Sequence, residues 1–118
     1  MKTLTMLLFV FLNISELKVT ATVYNAVEEQ TNSDPQHTAS MFKLDLQNPF
    51  KHRIIAVSRD LLKMFPMGTR VEICGTDYDG IYTVEDKMNK RYNKRIDILI
   101  NLEMKIGKWQ NVTITKLK

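Results

Sequence analysis

Three aspartates stand in settings that could do chemistry: Asp34 in NSDPQHTAS, Asp86 in VEDKMNK and Asp97 in RIDIL. Asp97 is the most informative. Strand alternation in RIDILI puts Ile96, Ile98 and Ile100 on one face and Asp97 on the other, beside Arg95 and Leu99. If both faces are covered, this carboxylate is poorly hydrated. Poor hydration raises a carboxyl pKa, which is what a general acid needs near neutral pH. The plainer reading has Asp97 facing water on a half-exposed strand and Asp86 capping a strand end.

Between Asp86 and Asp97 lie Lys87, Lys90, Arg91, Lys94 and Arg95, with Tyr92 among them. Most charge runs are solvated loops. The functional alternative is attraction of an anionic polymer, with Tyr92 as a stacking face. A second carboxylate near Asp97 would favour its protonated form, whereas Lys94 or Arg95 at close range would oppose it.

Other chemistries find little support. Cys74 is the single cysteine, so no internal disulfide forms; in RVEICG it reads as a small buried hydrophobe. His37 and His52 are the only histidines and show no ligand or dyad spacing. No glycine-rich phosphate loop occurs, and neither a metal nor a cofactor is expected.

The elements that must position these residues are mostly strands. KVTATVY (18–24), HRIIAV, TRVEICG, GIYTVED, RIDILI and NVTITKL read as six short strands by β-branched content and alternation. Ser58 looks like the N-cap of a helix of barely two turns, ended by Pro66. TDYDG marks a hairpin connection through Asp77, Asp79 and Gly80. NLEMKIGKW reads as a helical turn or loop closing near Gly107. The long polar segment NAVEEQTNSDPQHTAS has no periodicity, and a loop of that length in a small domain is functional or disordered. The expected fold is mainly β: a small six-stranded barrel with one or two short helices, closed so that no strand edge is exposed.

The chain has 118 residues, 44% hydrophobic and 25% charged, with net charge +4: enough for one globular domain. Residues 4–14, LTMLLFVFLNI, follow a short positive start. That apolar run suits a signal-peptide core and is too short for a membrane span. Residues 1–17 are therefore expected to be a signal peptide, cut between Ser15 and Ala21. The alternative is an uncleaved apolar N-terminus that associates transiently with a membrane. Residues 18–118 form the domain, exported to the periplasm or cell envelope. Export argues against nucleic acid as partner and for a bacterial cell wall.

ATVYNA, SDPQHTAS, IIAVSRDLLKMFPMGTRVEI and DGIYTVEDKMNKRYNKRIDIL resemble, in order and spacing, the three-aspartate (3D) domain. That family is a double-psi β-barrel and includes the barrel of membrane-bound lytic transglycosylase A; rare-lipoprotein-A-like and expansin-like barrels are more distant relatives. The resemblance spans about residues 19–117. Its most specific pieces are the turn with Pro66, Gly68 and Thr69, and the Asp86–Asp97 pair with ten residues between them.

The resemblance implies a peptidoglycan lytic transglycosylase that cleaves the MurNAc–GlcNAc β-1,4 bond to a 1,6-anhydro product. Asp97 corresponds to the general acid/base, Asp86 to an aspartate of the same groove and Asp34 to the one on the first loop. Thr38 corresponds to the threonine near the first aspartate. With Lys87, Lys90, Arg91, Tyr92, Lys94 and Arg95, it completes the expected substrate-binding set. One departure is clear: DKMNKRYNK contains no glycine where the transglycosylases carry D-T-G-G-A-I-K-G. The alternative is a non-catalytic peptidoglycan-binding module; a third reading is a secreted interaction protein on the same scaffold. The partner expected is the peptidoglycan glycan strand, met by a monomer.

Overall fold

The computed structural model describes residues 15–27 and 34–118. The apolar start (1–14) and part of the polar segment (28–33) lie outside the described residues, as does most of the expected signal peptide. Six strands form: β1 (Glu16–Asn25), β2 (Ile54–Val57), β3 (Arg70–Cys74), β4 (Gly80–Lys87), β5 (Arg95–Ile100) and β6 (Lys108–Lys116). They close into a barrel in the order β1-β5-β2-β4-β3-β6, with β6 paired back onto β1. The pairs β1–β5 and β2–β4 are parallel and the rest antiparallel. The mainly-β, closed six-stranded barrel expected from the sequence is the fold.

Alternation fills the interior. Ala21, Ile55, Ile73, Val84, Ile98 and Ile114, one from each strand, are all fully buried in one core cluster. Burying each of the larger ones contributes about 1.5–3 kcal/mol. A second, smaller cluster lies on the outside of the barrel. Tyr24, Ile54, Ala56 and Leu99 point outward from β1, β2 and β5, and Leu44 and Met88 from flanking loops cover them. β2 and the end of β5 are therefore buried on both faces.

Three local expectations are corrected. Instead of a two-turn helix after Ser58, a single 3-10 turn spans Arg59–Leu61, and another 3-10 turn spans Pro49–His52. Ser58 does not cap its turn: it is fully buried, and its hydroxyl accepts the Arg95 amide at 3.0 Å. Asp60 likewise accepts the Lys94 amide at 2.9 Å, so both polar groups tie this segment to β5. Cys74 is exposed, not buried. It ends β3 on the outward register, where alternate residues face water. Third, β1 starts earlier than expected: Glu16 and Leu17 already pair with Thr115 and Ile114, so a cut beyond Glu16 would remove barrel residues.

The turns follow their sequence signals. Gly68, at φ 90°, occupies the left-handed region that glycine adopts without strain, and its amide reaches the Val84 carbonyl at 2.6 Å. In the β3–β4 hairpin the Asp79 carboxylate accepts the Gly75 amide at 3.0 Å and the Thr76 amide at 2.7 Å. These bonds hold its pKa below the ordinary carboxylate value despite the opposing cost of burial.

Candidate functional site

The site begins with strand register. On β5, Asp97 pairs with Thr22 of β1 on one side and Ala56 of β2 on the other. Ala56 pairs in turn with Asp86 of β4. Directly paired residues project to the same face. Thr22, Asp97, Ala56 and Asp86 therefore form a row across four adjacent strands, on the outside of the barrel. A β-bulge sets this alignment. Ile55 pairs with Val84, but Ala56 pairs with Asp86, so Glu85 is the extra residue. Without the bulge Glu85 would take the place of Asp86 in the row.

The bulge also anchors the loop that covers the row. Ser40 donates its amide to the Glu85 carbonyl (3.1 Å) and its hydroxyl to the Glu85 carboxylate (2.7 Å). The Ala39 amide reaches Asp86 Oδ1 at 3.0 Å. Thr38 is buried; its hydroxyl accepts the Phe42 amide at 3.1 Å and lies 3.0 Å from the Ser40 hydroxyl. Thr38 thus fixes the turn that caps Asp86.

The carboxylates and the covering loop bound a cleft of about 1040 Å³. Asp34, Asp86 and Asp97 all line it, as do Thr38, Lys87, Arg91, Tyr92 and Arg95. The structure does not bring Lys90 and Lys94 into the cleft. Lys94 sits in a left-handed turn (φ 47°) pinned through its amide to Asp60. Asp34 is exposed at the cleft, with Oδ1 3.4 Å from His37 Nδ1. The Tyr92 ring is already occupied: the guanidiniums of Arg91 and Arg95 lie 4.8 and 4.7 Å from its centroid.

Asp97 has the environment that the alternation required. Burial pushes its pKa up to about 6, against an ordinary value of 3.8. A hydrogen bond from the Thr22 hydroxyl (3.0 Å) and the Arg95 charge pull it down, and the Asp86 charge adds to the rise. Desolvation wins over Arg95. Asp86 accepts Tyr24 Oη at 3.0 Å together with the Ala39 and Lys87 amides, so three donors fix its orientation. Tyr24 is deeply buried; burial first, then the Asp86 and Asp97 charges, raise its pKa well above the ordinary tyrosine value.

Sequence reasoning missed Thr22 and Tyr24, and also Ile106 and Gly107 from the β5–β6 connection and Lys108, which opens β6 and pairs with Thr22. The alternation of TATVY carried a signal for the first two, since Thr22 and Tyr24 share one strand face. Gly107 has a packing reason: any side chain there would meet the Trp109 ring at 2.6 Å. Among the described residues no three His, Cys, Asp or Glu side chains converge to hold a metal ion.

The fold and cleft define a class of small closed β-barrels with an acidic row on the outer surface. No family model and no curated protein sequence matches the chain. Solved structures do match in fold. A mutant Clavibacter michiganensis expansin in complex with cellohexaose has a TM-score of 0.52 at 14% identity, covering 87% of this chain and 50% of that one. The apo expansin gives 0.57 at 14% identity with the same coverage. The Streptomyces papain inhibitor gives 0.57 at 15% identity, covering 87% of this chain and 94% of that one. The chain thus spans about half the expansin's length and nearly all of the inhibitor's.

Proposed function

We propose that the cleft binds a polysaccharide strand, and that the strand is peptidoglycan. The observation that carries this is the row itself. Asp97 and Asp86 lie in one open cleft with Thr22 and Tyr24, a set of acceptors and hydroxyls suited to sugar hydroxyls. The expansin solved with cellohexaose, half of which matches this chain in fold, supports a glycan as the kind of ligand. The resemblance to the 3D domain supports peptidoglycan as the glycan, and with it export to the cell envelope.

One observation favours a catalytic reading on top of binding: Asp97 is held near pKa 6 beside a second carboxylate. A fraction of the protein then carries a protonated Asp97 near neutral pH. That proton would pass to the glycosidic oxygen as the C1–O4 bond breaks. The sugar's own 6-hydroxyl would attack C1 and return its proton to the Asp97 carboxylate, giving a 1,6-anhydro end. No second carboxylate is needed as water-activating base, unlike in an inverting glycosidase. Asp86, locked by three donors, would orient the sugar.

The test is incubation with purified peptidoglycan sacculi, scoring co-sedimentation and 1,6-anhydro muropeptides by mass spectrometry. Binding is expected for the native protein and for Asp97→Asn. If the site is catalytic, anhydro products form with the native protein and drop at least about 100-fold in the variant. Native protein that sediments with sacculi and releases no anhydro product is a binding module. Native protein that fails to sediment removes the glycan reading.

A further inference from the structure

The cleft carries a charge arrangement that glycan binding alone does not require. Five cations line it, Arg59, Lys87, Arg91, Arg95 and Lys108, against three carboxylates. Among the described residues none of the five stands within ion-pair distance of a carboxylate; the two ion pairs present are His37–Asp34 and Lys51–Asp45. Two of the five are held on a single ring. Arg91 lies against Tyr92 and donates to its hydroxyl at 2.7 Å. Arg95 lies against the same ring and donates Nε to the Thr22 hydroxyl at 3.4 Å.

Holding two like charges on one aromatic ring is repulsive, and the ring's attraction offsets only part of that. Their remaining N–H donors have no protein acceptor among the described residues. A guanidinium presents its donors as a planar fork that matches a carboxylate. The loop is not a uniform basic coat, since Lys90 and Lys94 of the same segment lie outside the cleft. We propose that Arg91 and Arg95 form a receptor for a carboxylate carried by the glycan, so that the site takes acidic glycans in preference to neutral β-1,4-glucans. The proposal rests on the glycan reading and specifies the chemistry of the strand: a sugar acid or an attached peptide supplies the anion.

The experiment measures sedimentation of the full chain with four materials: untreated sacculi, sacculi whose carboxylates are capped as ethanolamides with carbodiimide, sacculi stripped of phosphate polymers, and cellulose. Untreated and phosphate-stripped sacculi should bind alike, with capped sacculi and cellulose about tenfold weaker, the scale of one charge-assisted contact. The double substitution Arg91→Gln with Arg95→Gln should lose the same factor on untreated sacculi and nothing more on capped ones. Lys90→Gln with Lys94→Gln removes equal charge outside the cleft and should change binding little. A thermal melt close to native for both double variants separates binding loss from misfolding.

Equal binding of capped and untreated sacculi overturns the proposal while leaving the glycan reading intact. So does equal loss in the two double variants, which would reduce the effect to net charge. Loss on phosphate stripping alone also overturns it, in favour of a phosphate ligand. Failure of the native protein on all four materials removes the glycan reading and the proposal together.

Discussion

The outer faces of β3 and β5 are built alike and end in different physical states. Both strands alternate, with inner residues fully buried: Val71 and Ile73 in β3, Ile96 and Ile98 in β5. On β3 the outward residues Arg70, Glu72 and Cys74 face water. On β5 the outward Leu99 is fully buried under a second layer that includes Leu44, Met88 and Tyr24, and Asp97 beside it is half-buried and lines the cleft. The barrel supplies the register in both cases. On the covered face burial pushes the Asp97 pKa up to about 6, and the Asp86 charge adds to the rise. The lesson is that the site depends on the loops lying on the barrel, which among the described residues cover the outer face of β5 and leave that of β3 bare.

The sharpest way to break this comparison is to treat the covered face as core. Leu99→Ala should cost about 2–5 kcal/mol, as for an interior residue, whereas Glu72→Ala on the bare face should stay within about 0.5 kcal/mol. Urea unfolding of the two variants checks this. A Leu99→Ala loss as small as that of Glu72→Ala would show that the cover does not pack.

The next effect is on pH dependence. The folded Asp97 pKa lies above its unfolded value, so the folded state binds the proton more tightly. Ionisation of Asp97 therefore costs stability as pH rises from about 4 to about 6, and the loss levels off above that. Asp97→Asn removes this slope. The stability gained by the variant over native protein should grow across that window by on the order of 2–3 kcal/mol, discounted for the partial exposure of the group. A difference that is flat with pH would place Asp97 in water.

The smallest effect concerns the anchor of the cover. Ser40→Ala removes the hydroxyl bond to Glu85 and should cost about 1 kcal/mol. Its more telling readout is local. Hydrogen exchange at the Ala39 amide, which caps Asp86, should quicken while the β3 amides keep their protection.

The strands were legible because alternation and β-branched residues report a half-buried surface directly; RVEIC and RIDILI both fall where their patterns put them. Asp97 was legible for the same reason, since an acid among isoleucines implies a covered outer face. The helix after Ser58 was misread because the cap signature cannot tell whether a serine bonds its own turn or a distant strand, here the Arg95 amide. Cys74 was misread because composition favours burial while the register at the end of β3 turns the residue outward. The alignment of Asp86 depends on a bulge at Glu85, which leaves no mark in the residue pattern. The division of the basic loop into cleft and non-cleft residues depends on a left-handed turn at Lys94, a residue type that gives no such signal.

The most direct test of the central claim, that the covered side of the barrel holds a glycan, is chemical-shift mapping by NMR. The protein is titrated with a soluble muropeptide oligosaccharide. The account predicts saturable shifts at Thr22, Tyr24, Ala39, Asp86, Arg91, Arg95 and Asp97, with Arg70–Cys74 of β3 unmoved. Shifts confined to β3, or none at high ligand concentration, would contradict it.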